Sequence, residues 1–198
     1  MSLPRQIRNP LGLLRNERVE AARVADPMAN FASLATSNSA GEPKARVVTI
    51  REIRDDTIVL SANLQSPKVQ ELRETNAYEL LIYWTSSQIQ FRISGNHRLV
   101  TYAEEVELAR NSSRMGRLWN KLYESWPQSS ELHEPRKLFS RLKELERQEE
   151  PIDTPLAGFV SLEPTSIELQ VIDPIRRFHD RRLLRLENGI WSQTQLVP

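Results

Sequence analysis

The chain has 198 residues, enough for one sizeable domain with a real hydrophobic core, and its formal charge of +1 at pH 7 gives no general pull towards nucleic acid or membrane. It has no cysteine, which excludes disulfides, thiolate catalysis and Cys-based metal centres and agrees with a reducing cytoplasm. The histidines at 97, 133 and 179 lack metal-ligand spacing, so no metal is expected, and no apolar run reaches the length of a membrane span or forms the core of a signal peptide.

Asn9-Pro10 opens a helix that runs to about Val24, and Asp26-Pro27 ends it. Phe31 to Ser37 reads as a strand, followed by a turn at Asn38 to Gly41. Ala45 to Arg54 and Thr57 to Ala62 form a hairpin across the polar Arg54-Asp55-Asp56. Ser66 is placed to cap a short helix, with Pro67 at its first position and an end near Thr75. Tyr78 to Trp84 is nearly all apolar, which predicts a strand buried on both faces. Ile89, Phe91 and Ile93 alternate with Gln90, Arg92 and Ser94 in a strand with one dry face, bent at Gly95 and continuing to Val100.

Thr101 and Glu104 make a capping box, which predicts a helix to about Tyr123. Trp126 to Ser130 is a loop, and Pro135 to Gln148 a charged helix with Leu138, Leu142 and Leu145 along one side. Residues 151–155 read as a linker too short to divide the chain. Strands return at Gly158 to Leu162, Ser166 to Val171, Arg181 to Leu186 and Ile190 to Leu196, with a hairpin signal at Glu187-Asn188-Gly189. A parallel sheet would need a helix after each strand, and those are absent. The expected fold is therefore mainly β with α: one domain over residues 1–198, an antiparallel barrel of six to eight strands with helices outside. Its strands span about 31–100 and 158–197, its helical insert about 102–149, and the last strands are expected to close the same barrel.

One stretch points to chemistry. Lys68 lies in the first turn of the helix that Ser66-Pro67 opens, and Arg46 opens the neighbouring β-branched strand. An anion held there would meet backbone N–H groups, the positive end of a helix, an ammonium and a guanidinium together. A solvated lysine on a surface helix is the alternative from these residues alone. Arg46 and Arg51 are five apart, so a regular strand points them to opposite faces; reaching one ligand would need a bulge near its end.

Two blocks carry a resemblance. The first runs from Ala35-Thr36 through Gly41, Arg46 and Ser66-Pro67-Lys68 to Gln90 and Gly95; the second is the tail RRFHDRRLLRLENGIWSQTQLVP. Together they resemble the pyridoxamine 5'-phosphate oxidase family of FMN-binding split-barrel flavoproteins. That resemblance implies a homodimer with FMN at the subunit interface. It implies cofactor contacts from Arg46, Val47, Val48, Thr49, Ile50 and Arg51, from Ser61 and Ala62, from Lys68 and Gln90, and from Arg181. It assigns Gln128 and Ser129 to the partner's contribution, and Arg177 and His179 to the substrate. Arg110 would meet the substrate phosphate, and Arg51 would also contact the substrate. Arg51 stands where the family has lysine, Val106 and Arg114 where it has tyrosine and serine, and Gln170 or Val171 where it has a tryptophan.

The activity implied is hydride transfer from pyridoxamine or pyridoxine 5'-phosphate to the flavin, with dioxygen as acceptor. A same-fold oxidoreductase acting on another small aromatic substrate, as in phenazine biosynthesis, and a non-catalytic binder of flavin or pyridoxal phosphate are the alternatives. The cluster RRFHDRR lacks interleaved aromatics, so a nucleic-acid partner is not expected. Asp180 is expected to pair with a nearby arginine, and the four tryptophans to pack in core or interface.

Overall fold

The structure is a computed structural model that describes residues 6–148, 154–173, 175 and 179–198. Helix α1 (Pro10–Arg23) starts as the sequence requires: the Asn9 side chain accepts from the Gly12 N–H at 2.8 Å. Then come β1 (Phe31–Ser37), β2 (Pro43–Ile53), β3 (Ile58–Asn63), α2 (Pro67–Thr75), β4 (Tyr78–Trp84) and β5 (Ile89–Thr101). Three helices follow, α3 (Val106–Arg110), α4 (Arg114–Leu122) and α5 (Pro135–Glu146), and then β6 (Ala157–Val171), β7 (Asp180–Glu187) and β8 (Ile190–Leu196). No helix among the described residues is long and apolar enough to cross a membrane.

The strands run in the order β3-β2-β1-β4-β5-β6, and β6 pairs back onto β3, which closes a six-stranded antiparallel barrel. The length of β6 decides what happens next. Residues 158–162 and 166–171, read from the sequence as two strands, belong to one strand of 15 residues. Its first half pairs with β3, its second half with β7, and β5 runs along both. Only β6 of the last three strands therefore closes the barrel; the β7–β8 hairpin extends the sheet beyond the closure. The register of β5 against β6 slips at Ser94/Gly95, and Gly95 is needed there. A Cβ on it would lie 2.2 Å from the Glu163 carbonyl oxygen.

The barrel interior is filled by Leu34, Ile50, Leu60, Ile82, Trp84 and Phe91, all buried, at about 1.5–3 kcal/mol for each large side chain withdrawn from water. β4 departs from expectation. Tyr78, Leu80, Ile82 and Trp84 point inward, but Leu81 and Tyr83 are 36% and 37% exposed. Strict alternation puts them outside, where they join Phe31 and Val47 on an apolar outer face.

The helical insert also differs. The Thr101–Glu104 box forms, with the Thr101 N–H donating to Glu104 at 2.8 Å and the Glu104 N–H to Thr101 Oγ1 at 3.3 Å. It closes a turn, and the helix starts only at Val106 and breaks at Asn111-Ser112-Ser113. These side chains compete for backbone groups; Ser113 caps α4 by accepting from the Gly116 N–H at 3.1 Å. α4 and α5 make a small core of their own, in which Leu118 and Leu122 meet Leu138 and Leu145 under Trp119 and Trp126. Arg114 ties it off by donating to the Glu146 and Gln148 carbonyls at 2.9 and 2.7 Å, a cation at a helix C-terminus.

Candidate functional site

The turn from β3 into α2 builds one wall of a cleft. The Ser66 hydroxyl donates to the Asn63 carbonyl at 2.7 Å, so it does not cap α2 as expected. It accepts instead from the Lys68 ammonium at 3.1 Å. The cleft, about 620 Å³, is lined by Arg46 and Val47 of β2, Lys68 and Glu71 of α2, and Gln128 and Ser129 of the loop between α4 and α5. Arg46 and Lys68, 22 residues apart in sequence, thus meet as the sequence proposed. Gln128 and Ser129 line the cleft of their own chain. The α4–α5 hairpin returns this loop to the barrel, and Ser129 holds a left-handed φ of +71° in it.

Arg46 is fixed from three sides. It donates to Glu71 Oε2 at 2.8 Å, to the Leu34 carbonyl at 3.2 Å and to the Thr36 hydroxyl, which itself donates to Glu71. Glu71 is only 4% exposed. Burial pushes the Lys68 ammonium down to about 8, the neighbouring Arg46 charge pushes it the same way, and Glu71 opposes them. The cleft therefore concentrates positive charge in a place poorly reached by water. Glu71, Thr36 and Lys44, whose ammonium lies 3.9 Å from Glu71, escaped the sequence reading of this site. The available signal was a carboxylate flanked by the buried Val69 and Leu72 of α2, which demands a cation.

A second hollow, about 450 Å³, adjoins the cleft through Ala45; it is floored by the small Ser33 and Ala35 and bounded by Gln90. Gln90 stands across from Gln170, and Gln170 across from Arg181, so the three share the outer face. Arg181 is held there by Glu168 at 2.8 Å, which also faces Arg92 at 3.6 Å.

The other candidates are dispersed. Val48 and Ile50 point into the barrel core, as does Ala62, while Val47 and Thr49 face outward. Ser61 lies on β3, next to β2, and pairs with Phe159 of β6 on its other side; it does not line the cleft. β2 does bulge between Ile50 and Glu52, at Arg51, but the bulge does not bring Arg51 to Arg46. Arg51 turns towards α1 and donates to the Asn111 carbonyl at 2.8 Å, beside the end of α3 where Arg110 pairs with Glu107 at 2.8 Å. His179 accepts the Asp173 N–H on Nδ1 at 3.3 Å, which leaves the proton of the neutral ring on Nε2. Asp180 pairs with Arg182 at 2.6 Å, and that hydrogen bond holds its carboxyl below the usual range. Arg177 lies outside the described residues.

Residues 20–141 match the family model described as pyridoxamine 5'-phosphate oxidase. The curated pyridoxine/pyridoxamine 5'-phosphate oxidase of Paraburkholderia phymatum is 31% identical over 195 residues, covering 96% of this chain and 89% of that protein. The chain belongs to the pyridoxamine 5'-phosphate oxidase family. This is a family of FMN-binding oxidoreductases, and two solved structures extend the likeness. PhzG from Burkholderia lata, in complex with tetrahydrophenazine-1-carboxylic acid, superposes with a TM-score of 0.87 at 25% identity over 100% of this chain and 98% of its own. A pyridoxamine 5'-phosphate oxidase-related, FMN binding protein from Nostoc punctiforme shares the fold, with a TM-score of 0.75 at 19% identity over 100% of both chains.

The residues present fit such a cofactor. A phosphate monoester carries close to two negative charges at neutral pH, and the cleft offers two cations whose repulsion it would relieve. Gln90 supplies an amide that can both donate and accept towards a heterocycle.

Proposed function

We propose that this chain is an FMN-dependent oxidase in which Arg46 and Lys68 hold the FMN phosphate and the ring lies over Ser33, Ala35 and Ala45 towards Gln90. The observation that carries the reading is the continuity of the cationic cleft with the small-residue hollow through Ala45. When bound, FMN would supply the hydride acceptor and pass the electrons on to dioxygen. The protein's share is placement. Gln128 and Ser129 close the phosphate end, Gln90 and Arg181 address the ring from the outer face, and His179 and Arg177 orient the substrate. The imidazole, with its proton on Nε2, is a hydrogen-bond donor towards that substrate. The apolar outer face of Phe31, Val47, Leu81 and Tyr83 supports a homodimer, with the hollow covered by a second copy. The lack of cysteine suits work in the cytoplasm.

The substrate proposed first is pyridoxamine or pyridoxine 5'-phosphate, on the names of the curated relatives. A second reading, a reduced aromatic carboxylic acid of the kind PhzG holds, is favoured by one observation. Arg114, which stands at a substrate-phosphate position of the family, is spent on the backbone carbonyls that end α5. The test begins by denaturing purified protein and identifying the chromophore released by its spectrum and mass. Peroxide evolved on adding pyridoxamine 5'-phosphate supports the first substrate; peroxide only with a reduced phenazine carboxylic acid supports the second. Protein that carries no flavin and takes up no added FMN ends the proposal.

A further inference from the structure

An acid in a cleft built for a phosphate is at first sight misplaced, because it repels the ligand. Among the described residues Glu71 is the one acid lining this cleft, and it is nearly inaccessible to water. Its oxygens are occupied. Oε2 takes Arg46 and the Thr36 hydroxyl, and Oε1 faces Lys44. Arg46 then has one Nη on Leu34 and Thr36 and one hydrogen of the other on Glu71. What remains is the Nε–H and the second Nη2 hydrogen, the side-on pair that grips a phosphate with two parallel bonds.

We propose that Glu71 is the positioning residue of the phosphate cleft: it fixes the Arg46 guanidinium against β1 so that its free edge faces the anion beside Lys68. This rests on the FMN reading above and adds a residue to it. The charges agree: Lys44, Arg46 and Lys68 against Glu71 leave a surplus that a phosphate dianion neutralises. Among the described residues, Lys44, Arg46 and Lys68 are the three titratable groups of the cleft that face Glu71, two from β2 and one from α2; β1 contributes the Thr36 hydroxyl and the α4–α5 loop the neutral Gln128 and Ser129. Glu71 sits among Arg46, Lys44 and Lys68 and partly offsets the push of burial and Arg46 on the Lys68 ammonium, so its removal has a pH signature that a merely structural acid lacks.

The experiment measures FMN binding by quenching of flavin fluorescence from pH 6 to 9.5 for the wild type, Glu71→Gln and Glu71→Ala. In flavin-free protein, the Lys68 amine is followed by NMR of labelled lysine. The isosteric E71Q keeps an acceptor for Arg46. It should bind FMN at pH 6 within about threefold of the wild type, but lose affinity at a pH lower by about half a unit or more, with the Lys68 titration moving alongside. E71A, which releases Arg46, should bind about tenfold or more weakly even at pH 6. Wild-type binding in E71A, or an unmoved Lys68 titration in E71Q, overturns the assignment. A wild type that binds no FMN at any pH ends the functional reading instead, and the flavin-free titration in E71Q still decides the role of Glu71.

Discussion

Replacing Lys68 by methionine should make the flavin-free protein more stable while weakening its hold on FMN. The Lys68 ammonium is pushed down to about 8 by burial and by Arg46, whereas in an unfolded chain it titrates near about 10.4. At pH 7 both states carry the proton, so the folded protein bears the whole cost of keeping that charge from water. Between about pH 8 and 10.4 the folded lysine sheds its proton while the unfolded one keeps it, so wild-type stability gains from this group as pH rises. The gap is worth roughly 3 kcal/mol. Lys68→Met removes the cost and leaves an apolar chain of similar length. We expect flavin-free K68M to exceed the wild type by on the order of 2–3 kcal/mol at pH 7, with the advantage fading towards pH 10. Other groups, including the buried Tyr78 phenol that burial pushes up, titrate alike in both proteins and cancel in the difference. Urea unfolding of flavin-stripped protein at pH 7, 8, 9 and 10 measures it. A variant no more stable at pH 7, or a gap that ignores pH, refutes the account of Lys68 as a strained cation awaiting an anion. FMN affinity of K68M at pH 7 should fall about tenfold to a hundredfold, the worth of one charge-assisted hydrogen bond.

Gly95→Ala forces a Cβ into backbone atoms of β6, at 2.2 Å from Glu163 O and 2.6 Å from Thr165 N, and should cost about 1–3 kcal/mol or more by chemical unfolding. Arg114→Ala should loosen the end of α5 and the small α4–α5 core, lowering stability by about 1–2 kcal/mol in thermal unfolding, and should weaken FMN binding because that hairpin carries Gln128 and Ser129. Leu81→Arg puts a charge on the apolar outer face without touching the barrel interior. It should give monomers in sedimentation with a wild-type far-ultraviolet spectrum; a dimer of unchanged strength would remove that face from the interface.

Local chemistry alone located most elements of this protein. β1, β4 and β8 fall on the residues that their strand-forming runs and flanking turns indicate, and α1 starts at the Asn9-Pro10 cap. A capping side chain, a turn glycine or a period of two is settled within a few residues, so it is written in the chain. The meeting of Arg46 and Lys68 was legible for the same reason, since a hairpin and a helix start join them directly. What depends on distant partners was not. Whether residues 158–171 are one strand or two depends on β5, which spans both halves. The outward turn of Leu81 and Tyr83 depends on which face the barrel curls around. Arg51 sits on the expected bulge yet leaves the cleft, because Asn111 takes its guanidinium. Glu71 has no motif of its own: its importance arises only when β2 and α2 close on each other and bury a carboxylate between three cations. Propensity and capping act over neighbours in sequence, whereas charge compensation and strand closure act over neighbours in space, and only folding decides which residues those are.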